Sequence, residues 1–241
     1  MANKILIASG KGGVGKSSLT VGLCRAFRDM GKRVLAMDCD IGLRSLDLLL
    51  RTGDSLVFDW GDVARGSCEP QKAILQTDGF SLLPAPLHME ETFSPARLKE
   101  MIAQLEADFD YIFIDASAGV AQELQLAACM ADAALVVATS DALCLRSAGK
   151  TGEALCRFGV TEQRLVLNRF QKSAVEHCFL LNIDEAIDRS GIQLIGIVPE
   201  DPEITFRFPK GETLPKKSPA KRAFERIAKR VDGKRVPLKI V

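Results

Sequence analysis

Short apolar runs alternate with longer stretches of helical periodicity along almost the whole chain. Apolar runs of strand length predict strands over residues 4–8, 32–38, 79–84, 111–115, 133–138, 165–169 and 192–198. Apolar positions three and four apart predict helices over residues 19–30, 58–63, 94–108, 142–158, 176–190 and 219–231. Strands that alternate with helices indicate a three-layer α/β fold, with a mainly parallel sheet, helices on both faces and right-handed crossovers.

Two of the predicted strands end in an acidic residue. Residues 111–115 are almost continuously apolar up to Asp115, and residues 34–37 are apolar up to Asp38. A continuously apolar strand is buried on both faces, as in a parallel sheet. Because α/β folds bind ligands at the carboxyl ends of their strands, we expect both carboxylates beside a ligand site.

The segment between the first strand and the first helix reads SGKGGVGKSS, residues 9–18. Gly10, Gly15, Lys16 and Ser17 fit the phosphate-loop pattern of two glycines five apart followed by Lys and Ser or Thr. The glycines allow backbone N–H groups to surround a polyphosphate, and the next helix presents its positive N-terminus to the same anion. Lys16 is predicted to contact the β- and γ-phosphates, and the Ser17 hydroxyl to bind Mg²⁺. The alternative, a flexible glycine turn, is disfavoured by the strand-to-helix context.

Length and composition favour a single domain over residues 1–241. The chain is 47% hydrophobic, enough to bury one substantial core. No apolar run approaches the ~18 residues that a membrane span needs, so no span is predicted. The first strand follows Met1 almost at once, so no signal peptide is predicted either. These features predict a cytoplasmic protein.

The cysteines are scattered and include no Cys-x-x-Cys pair. They stand at positions 24, 39, 68, 129, 144, 156 and 178, several of them in apolar helical stretches. A thiol in such a place is an ordinary small core residue, so we predict reduced, structural cysteines. The spacing also argues against a third class of function, an iron–sulfur reductase or carrier.

The near-neutral charge of the whole chain hides a basic C-terminal end. The formal net charge is +1, but residues 207–241 carry twelve Lys or Arg against three Asp or Glu. The predicted helix over residues 219–231 has an apolar stripe, which we expect to pack on the sheet, and a basic face. The basic helix and tail, residues 215–241, therefore form either a solvated surface or a weak binding surface for DNA or anionic lipid.

Lys11 is a second lysine, directly after the first glycine, that a phosphate loop does not need. The segment KGGVGKSS resembles the deviant Walker A loop of the MinD/ParA family of ATPases, in which the extra lysine reaches the partner's nucleotide across an ATP-dependent homodimer. The resemblance implies ATP and Mg²⁺ as cofactors and Lys11 and Lys16 as catalytic residues. It implies that the nucleotide is bound by Gly12, Gly13, Val14, Gly15, Lys16, Ser17 and Ser18.

The two acidic strand ends carry the same resemblance. Asp38-x-Asp40, followed by Ile-Gly-Leu-Arg-x-Leu-Asp, is similar to the switch I segment of the MinD branch of the family. This implies catalytic roles for Asp38 and Asp40, with Asp40 positioning the attacking water. Asp115 resembles the Walker B carboxylate, so the implied metal residues are Ser17, Asp38 and Asp115. The Asp-x-Pro-Ala-Gly pattern of switch II is also recognisable, with Ser117 in place of its proline.

The last two strands end in segments that resemble the adenine site of the family. Asn168 and Arg169 match an adenine-reading Asn-Arg pair. The sequence GIVPED, residues 196–201, resembles a segment whose backbone lies along the adenine. The resemblance therefore adds Pro199, Glu200 and Asp201 to the expected nucleotide site, and altogether it extends from Ile5 to Arg235.

The resemblance implies a slow, Mg²⁺-dependent and partner-stimulated ATP hydrolase that acts in spatial regulation of cell division through septum placement. The alternative is a partition ATPase of the ParA type that binds DNA or cargo through its basic C-terminal region. Expected partners are a second copy of the chain and an activating protein, with a membrane surface or nucleic acid as further candidates for the ATP state.

Two segments depart from the MinD branch of the family. Ser147 stands where the helix that receives the activating partner usually has Asp. A basic amphipathic membrane-binding helix normally follows the position of Arg235 in that branch. The tail over residues 235–241 is too short for such a helix and is interrupted by Pro237.

Overall fold

The computed structural model describes residues 1–90, 93–120, 122–177 and 179–239. Its strands are β1 (Asn3–Ser9), β2 (Val34–Cys39), β3 (Leu75–Gln76), β4 (Ser81–Leu83), β5 (Tyr111–Ala118), β6 (Ala133–Ala138), β7 (Glu162–Phe170) and β8 (Leu194–Pro199). Its α-helices are α1 (Lys16–Asp29), α2 (Ser45–Leu50), α3 (Trp60–Ala64), α4 (Pro95–Leu105), α5 (Gln122–Ala128), α6 (Ala142–Arg157), α7 (Lys172–Glu176), α8 (Ile183–Ser190), α9 (Pro202–Arg207) and α10 (Pro219–Val231). Short 3₁₀ helices lie at Gly53–Ser55, Pro70–Ala73 and Phe208–Lys210.

The strands join in one sheet in the order β3-β4-β2-β5-β1-β6-β7-β8. All the pairings are parallel except that of β3 with β4. Leu6 and Ile7 of the central strand β1 are both fully buried. Because neighbouring strand residues point to opposite faces, both faces of the sheet are covered, as the apolar runs predict. The predicted α/β class is confirmed.

The predicted single helix over residues 176–190 is wrong, because α8 covers only Ile183–Ser190 of that range and α7 precedes it at Lys172–Glu176. α7 ends at Glu176 and α8 begins at Ile183. The Asn182 side chain accepts a hydrogen bond from the Glu185 N–H at 2.9 Å, and the Glu185 side chain accepts one from the Asn182 N–H at 2.9 Å. This reciprocal capping box starts a new helix there. Helices α2, α5, α7 and α9 and the short strand β3 were not predicted.

Two sequence predictions reach beyond the part of the chain that the structure describes. Cys178, expected to be a reduced structural thiol, lies outside the described residues, and so do residues 240 and 241 of the predicted basic tail. Within the described ranges, no helix has both the length and the apolar character that crossing a membrane requires.

Helix α10 packs its apolar stripe on α1 and β8, as its pattern predicts. The contact with α1 is close, because a Cβ atom built on Gly22 would lie 2.4 Å from the ring of Phe224. Phe224 is 2% exposed, so its ring has little room to move aside. A glycine in the middle of α1 therefore allows the two helices to approach.

We expect Gly22→Ala to lower the free energy of unfolding, measured by urea titration, by up to about 2 kcal/mol. Overpacking a core costs roughly 1–3 kcal/mol, which exceeds the helix-propensity gain of about 1 kcal/mol for Ala over Gly. The double variant with Phe224→Leu should show a favourable coupling, because the smaller side chain relieves the clash. An increase in stability from Gly22→Ala alone would contradict this explanation.

Candidate functional site

The loop between β1 and α1 has the backbone conformation that a phosphate loop needs. Gly13 and Gly15 adopt left-handed φ angles of 76° and 92°, which L-residues with side chains rarely adopt. A Cβ atom on Gly15 would also lie 2.4 Å from Nδ2 of Asn168. Gly15 is thus required both by its backbone conformation and by a side chain from the other half of the sheet.

The residues predicted to bind adenine lie beside this loop. Asn168, at the carboxyl end of β7, is buried and donates from Nδ2 to the carbonyl oxygen of Val14 at 2.7 Å. Arg169 donates from Nε to Oε2 of Glu200 at 2.8 Å. A cleft of about 210 Å³ connects these side chains to the loop; it is lined by Gly13, Gly15, Ser18, Asn168, Arg169, Pro199, Glu200, Asp201, Ile204 and Thr205.

The Asp201 carboxylate is engaged by protein groups instead of facing open space. It accepts hydrogen bonds from the Ser218 hydroxyl at 2.6 Å, the Ala220 N–H at 3.3 Å and the Glu203 N–H at 3.1 Å. Asp201 therefore caps α9 and joins it to the start of α10. The family resemblance places the backbone of this segment along the adenine, and that prediction is independent of the carboxylate.

A second cleft, of about 490 Å³, adjoins the first and joins the phosphate loop to the segment after β2. It is lined by Gly12, Gly13, Gly15, Lys16, Ser17, Ser18, Asp40, Leu43, Ser45, Leu48, Leu49 and Ala118. The fold thus brings the predicted phosphate lysine, the predicted metal hydroxyl and the predicted water-positioning carboxylate to one cavity. Asp40 is partly exposed there and accepts a hydrogen bond from the Ser45 hydroxyl at 3.0 Å.

Asp115 is completely buried on β5 beside the first turn of α1. Its Oδ1 accepts a hydrogen bond from the Thr20 hydroxyl at 2.9 Å, while Oδ2 has no partner of good geometry among the described residues. Burial raises the pKa of Asp115 to about 6, although the Ser17 hydroxyl, the Lys16 ammonium and the Thr20 hydroxyl act to lower it. An incompletely satisfied buried carboxylate next to Ser17 fits a hard cation such as Mg²⁺.

Asp38 is also buried, at the position on β2 that pairs with Asp115 on β5. Its Oδ1 accepts from the Asp40 N–H at 2.8 Å and its Oδ2 from the Leu46 N–H at 2.9 Å. Burial, together with the neighbouring charge of Asp115, raises the pKa of Asp38 to about 8, while those two N–H groups act to lower it. In this arrangement Asp38 organises the loop that carries Asp40, and its role as a metal ligand stays a prediction.

Lys11 lies on the open side of the loop. Its side chain is 50% exposed, and Nζ is 4.0 Å from Oδ1 of Asp141, the N-cap residue of α6. The start of the loop also touches α6, because a Cβ atom on Gly10 would lie 2.2 Å from the Ser147 hydroxyl oxygen. Ser147, which departs from the family pattern, therefore faces the phosphate loop.

Sequence reasoning missed two residues that support this site. Thr20 holds Asp115 from one turn after Lys16, a spacing that a helical wheel of α1 could have revealed. Trp60 donates from its indole Nε1 to the carbonyl oxygen of Asp38 at 2.8 Å, a contact that no local pattern signals. Within the described ranges, groups of three or more His, Cys, Asp or Glu side chains suited to a metal ion are not found.

Comparisons with known proteins agree with the geometry. Residues 5–214 match the model of the CobQ/CobB/MinD/ParA nucleotide binding domain. The septum site-determining protein MinD of Bacillus subtilis is 34% identical, over 100% of this chain and 93% of that protein.

Two solved structures share the fold over almost their full length. The MinC:MinD cell division protein complex of Aquifex aeolicus contains a chain that superposes with a TM-score of 0.92 and is 31% identical, with 99% of each chain covered. The septum site-determining protein MinD complexed with Mg-ADP from Pyrococcus horikoshii superposes with a TM-score of 0.86 at 30% identity, with 96% of each chain covered. With its phosphate loop, its two acidic strand ends and these matches, the chain belongs to the MinD/ParA family of nucleotide-binding ATPases.

Proposed function

We propose that this chain is an ATP-driven dimer switch of the MinD type that acts in placing the division septum. The observation that carries the proposal is the cleft that joins Lys16 and Ser17 to Asp40, with Lys11 half-exposed on its open side. The names of the relatives that are 30% identical or more support the cellular role.

In this proposal, residues 12–18 bind the phosphates of ATP. Their N–H groups and the N-terminus of α1 offer partial positive charge, and the buried Lys16 ammonium adds a full charge. The Ser17 hydroxyl and, through water, Asp115 would hold Mg²⁺. The ion would supply positive charge to the phosphates of the nucleotide. Asn168, Arg169 and the backbone of residues 199–201 hold the adenine.

Hydrolysis depends on Asp40 and on a second copy of the chain. The Asp40 carboxylate, held by Ser45, positions the attacking water. Lys11 of the partner supplies positive charge where negative charge develops on the transferred group. Because Lys11 makes only a long, exposed contact with Asp141, little has to be broken to release it for this role.

The output of the switch is the recognition of another protein by the ATP-bound dimer in the cytoplasm. The MinC:MinD complex of Aquifex aeolicus supports a protein partner of this kind. The partition alternative needs free basic charge on α10, and part of that charge is already used. Lys221 lies 3.8 Å from Asp29, and Arg230 donates to the backbone carbonyls of Ile195, Val236 and Pro237.

We expect Lys16→Ala to abolish ATP binding and Lys11→Ala to keep it while losing ATP-dependent dimerisation and hydrolysis. The reason is that Lys16 contacts the phosphates of its own chain and Lys11 those of the partner. Labelled-nucleotide binding, light scattering and phosphate release measure the three properties. Lys150→Ala removes an exposed lysine from α6 and serves as the matched control. A Lys11→Ala variant that dimerises fully and turns over normally would contradict the role in trans.

We expect Asp40→Asn to stabilise the ATP-bound dimer and to slow turnover. A positioned base contributes roughly 10²–10⁴-fold, so the hydrolysis rate should fall by about that factor with ATP affinity almost unchanged. Asp54→Asn, an exposed change in the same region, is the control for the loss of one charge. Turnover at the parent rate would move the role to another carboxylate, Asp38 first.

We expect Asp115→Asn to raise the free energy of unfolding of the nucleotide-free protein at pH 8 by about 1–3 kcal/mol. Burial raises the pKa of Asp115 from 3.8 to about 6, so ionising it at pH 8 opposes folding. Between about pH 4 and pH 6 the folded chain binds more protons than the unfolded chain, so stability falls as pH rises there. The advantage of the variant should therefore be smaller at pH 5 than at pH 8, as measured by urea unfolding.

The same variant should lose the effect of Mg²⁺ on nucleotide affinity. Binding of ADP with Mg²⁺ and with a chelator, compared in the two proteins, provides this measurement. A variant that is less stable at pH 8 and retains the full Mg²⁺ effect would contradict the placement of the metal.

A further inference from the structure

Trp60, the sole tryptophan of the sequence, is buried directly beneath the switch segment. It begins α3, is 1% exposed and packs against Phe93, with 4.8 Å between the ring centroids. Its main-chain N–H donates to the carbonyl oxygen of Pro84 at 3.1 Å. Its indole Nε1–H donates to the carbonyl oxygen of Asp38 at 2.8 Å. One residue therefore holds the backbone at Asp38, near the end of β2, and at Pro84, directly after β4.

The two carbonyl groups that Trp60 binds lie where the pairing of β2 with β4 has just ended. The pairing of β2 with β4 ends at Met37 opposite Leu83. Asp38 and Pro84 are the next residues along, where β2 still pairs with β5 but no longer with the segment after β4. Trp60 bridges this gap and fixes the Asp38 peptide, one residue before β2 ends.

Further hydrogen bonds hold the loop that follows β2. The Asp38 carboxylate accepts the N–H groups of Asp40 and Leu46. The Gly42 N–H donates to the carbonyl oxygen of Pro86 at 3.2 Å. Trp60 thus binds the main-chain carbonyl of Asp38, while the side-chain carboxylate of Asp38 binds the loop that follows.

The first turn of α3 is itself held firmly. Asp59 and Asp62 form a capping box at its start. A Cβ atom on Gly61 would lie 2.9 Å from the Phe93 ring and 3.0 Å from Pro86. The indole therefore projects from a support with little freedom to move.

We propose that Trp60 is a positioning residue for Asp40, acting through the Asp38 peptide. The inference rests on the proposed function, because it assigns Asp40 to the attacking water. A buried N–H that loses its acceptor is costly, so the indole favours the loop conformation in which the Asp38 carbonyl faces it. Substitution at Trp60 should therefore affect hydrolysis more than the binding of ATP to the phosphate loop.

The test compares Trp60→Phe with Phe93→Leu. Trp60→Phe keeps an aromatic ring but removes the N–H donor, whereas Phe93→Leu removes the ring contact and keeps the donor. Trp60→Phe should lower kcat about 3- to 10-fold, the range expected from one neutral hydrogen bond. Its Kd for ATP should stay within about 2-fold, while Phe93→Leu should leave both values near those of the parent protein. Urea unfolding of both variants controls for a general loss of stability.

Amide hydrogen exchange in the nucleotide-free protein gives a readout that does not need activity. Exchange at the N–H groups of Asp40 and Leu46 should be faster in Trp60→Phe than in the parent and unchanged in Phe93→Leu. Unchanged exchange in Trp60→Phe, or equal acceleration in both variants, would overturn the proposal. A parent protein without ATPase activity would instead overturn the proposed function, and exchange alone would then decide whether Trp60 holds the loop.

Discussion

The burial of two neighbouring carboxylates is the constraint around which the site is arranged. Asp38 and Asp115 face each other in register on neighbouring strands, and burial raises the pKa of both. Such a pair is costly unless positive charge or N–H groups surround it. The Lys16 ammonium and the two loop N–H groups meet part of this need. A bound cation would meet more of it, so the features that favour metal binding make the empty protein less stable.

The two carboxylates contact different parts of the protein. Asp115 is tied to α1 through Thr20, so its position follows that of the phosphate loop. Asp38 is tied through backbone N–H groups to the loop after β2, and its carbonyl is tied to α3. Asp115 is therefore fixed to the helix that follows the phosphate loop, and Asp38 to the loop that carries Asp40. A change in the charge between them acts on both parts at once.

Local patterns predicted the strands, the phosphate loop and the acidic strand ends, because each depends on residues close together in sequence. The contacts of Asp38 with Trp60 and of Asn168 with Val14 join residues that are far apart in the chain, and one sequence does not reveal them. The helix over residues 176–190 was wrong for a different reason. Apolar spacing continued across residues 176–190, while the Asn182 and Glu185 cap that begins a new helix was overlooked.

The carboxylate of Asp201 has a consequence for how mutational data on this site are interpreted. It stands in a segment that reads as a nucleotide signature, yet it joins α9 to the start of α10 through Glu203, Ser218 and Ala220. A variant there would remove the bonds that hold these two helices and disturb the wall of the cleft beside Asn168 and Arg169. Screened by activity alone, such a folding defect would pass for a lost ligand contact. In a scan of this chain, Asp201 is the residue at which abundance and affinity have to be measured separately.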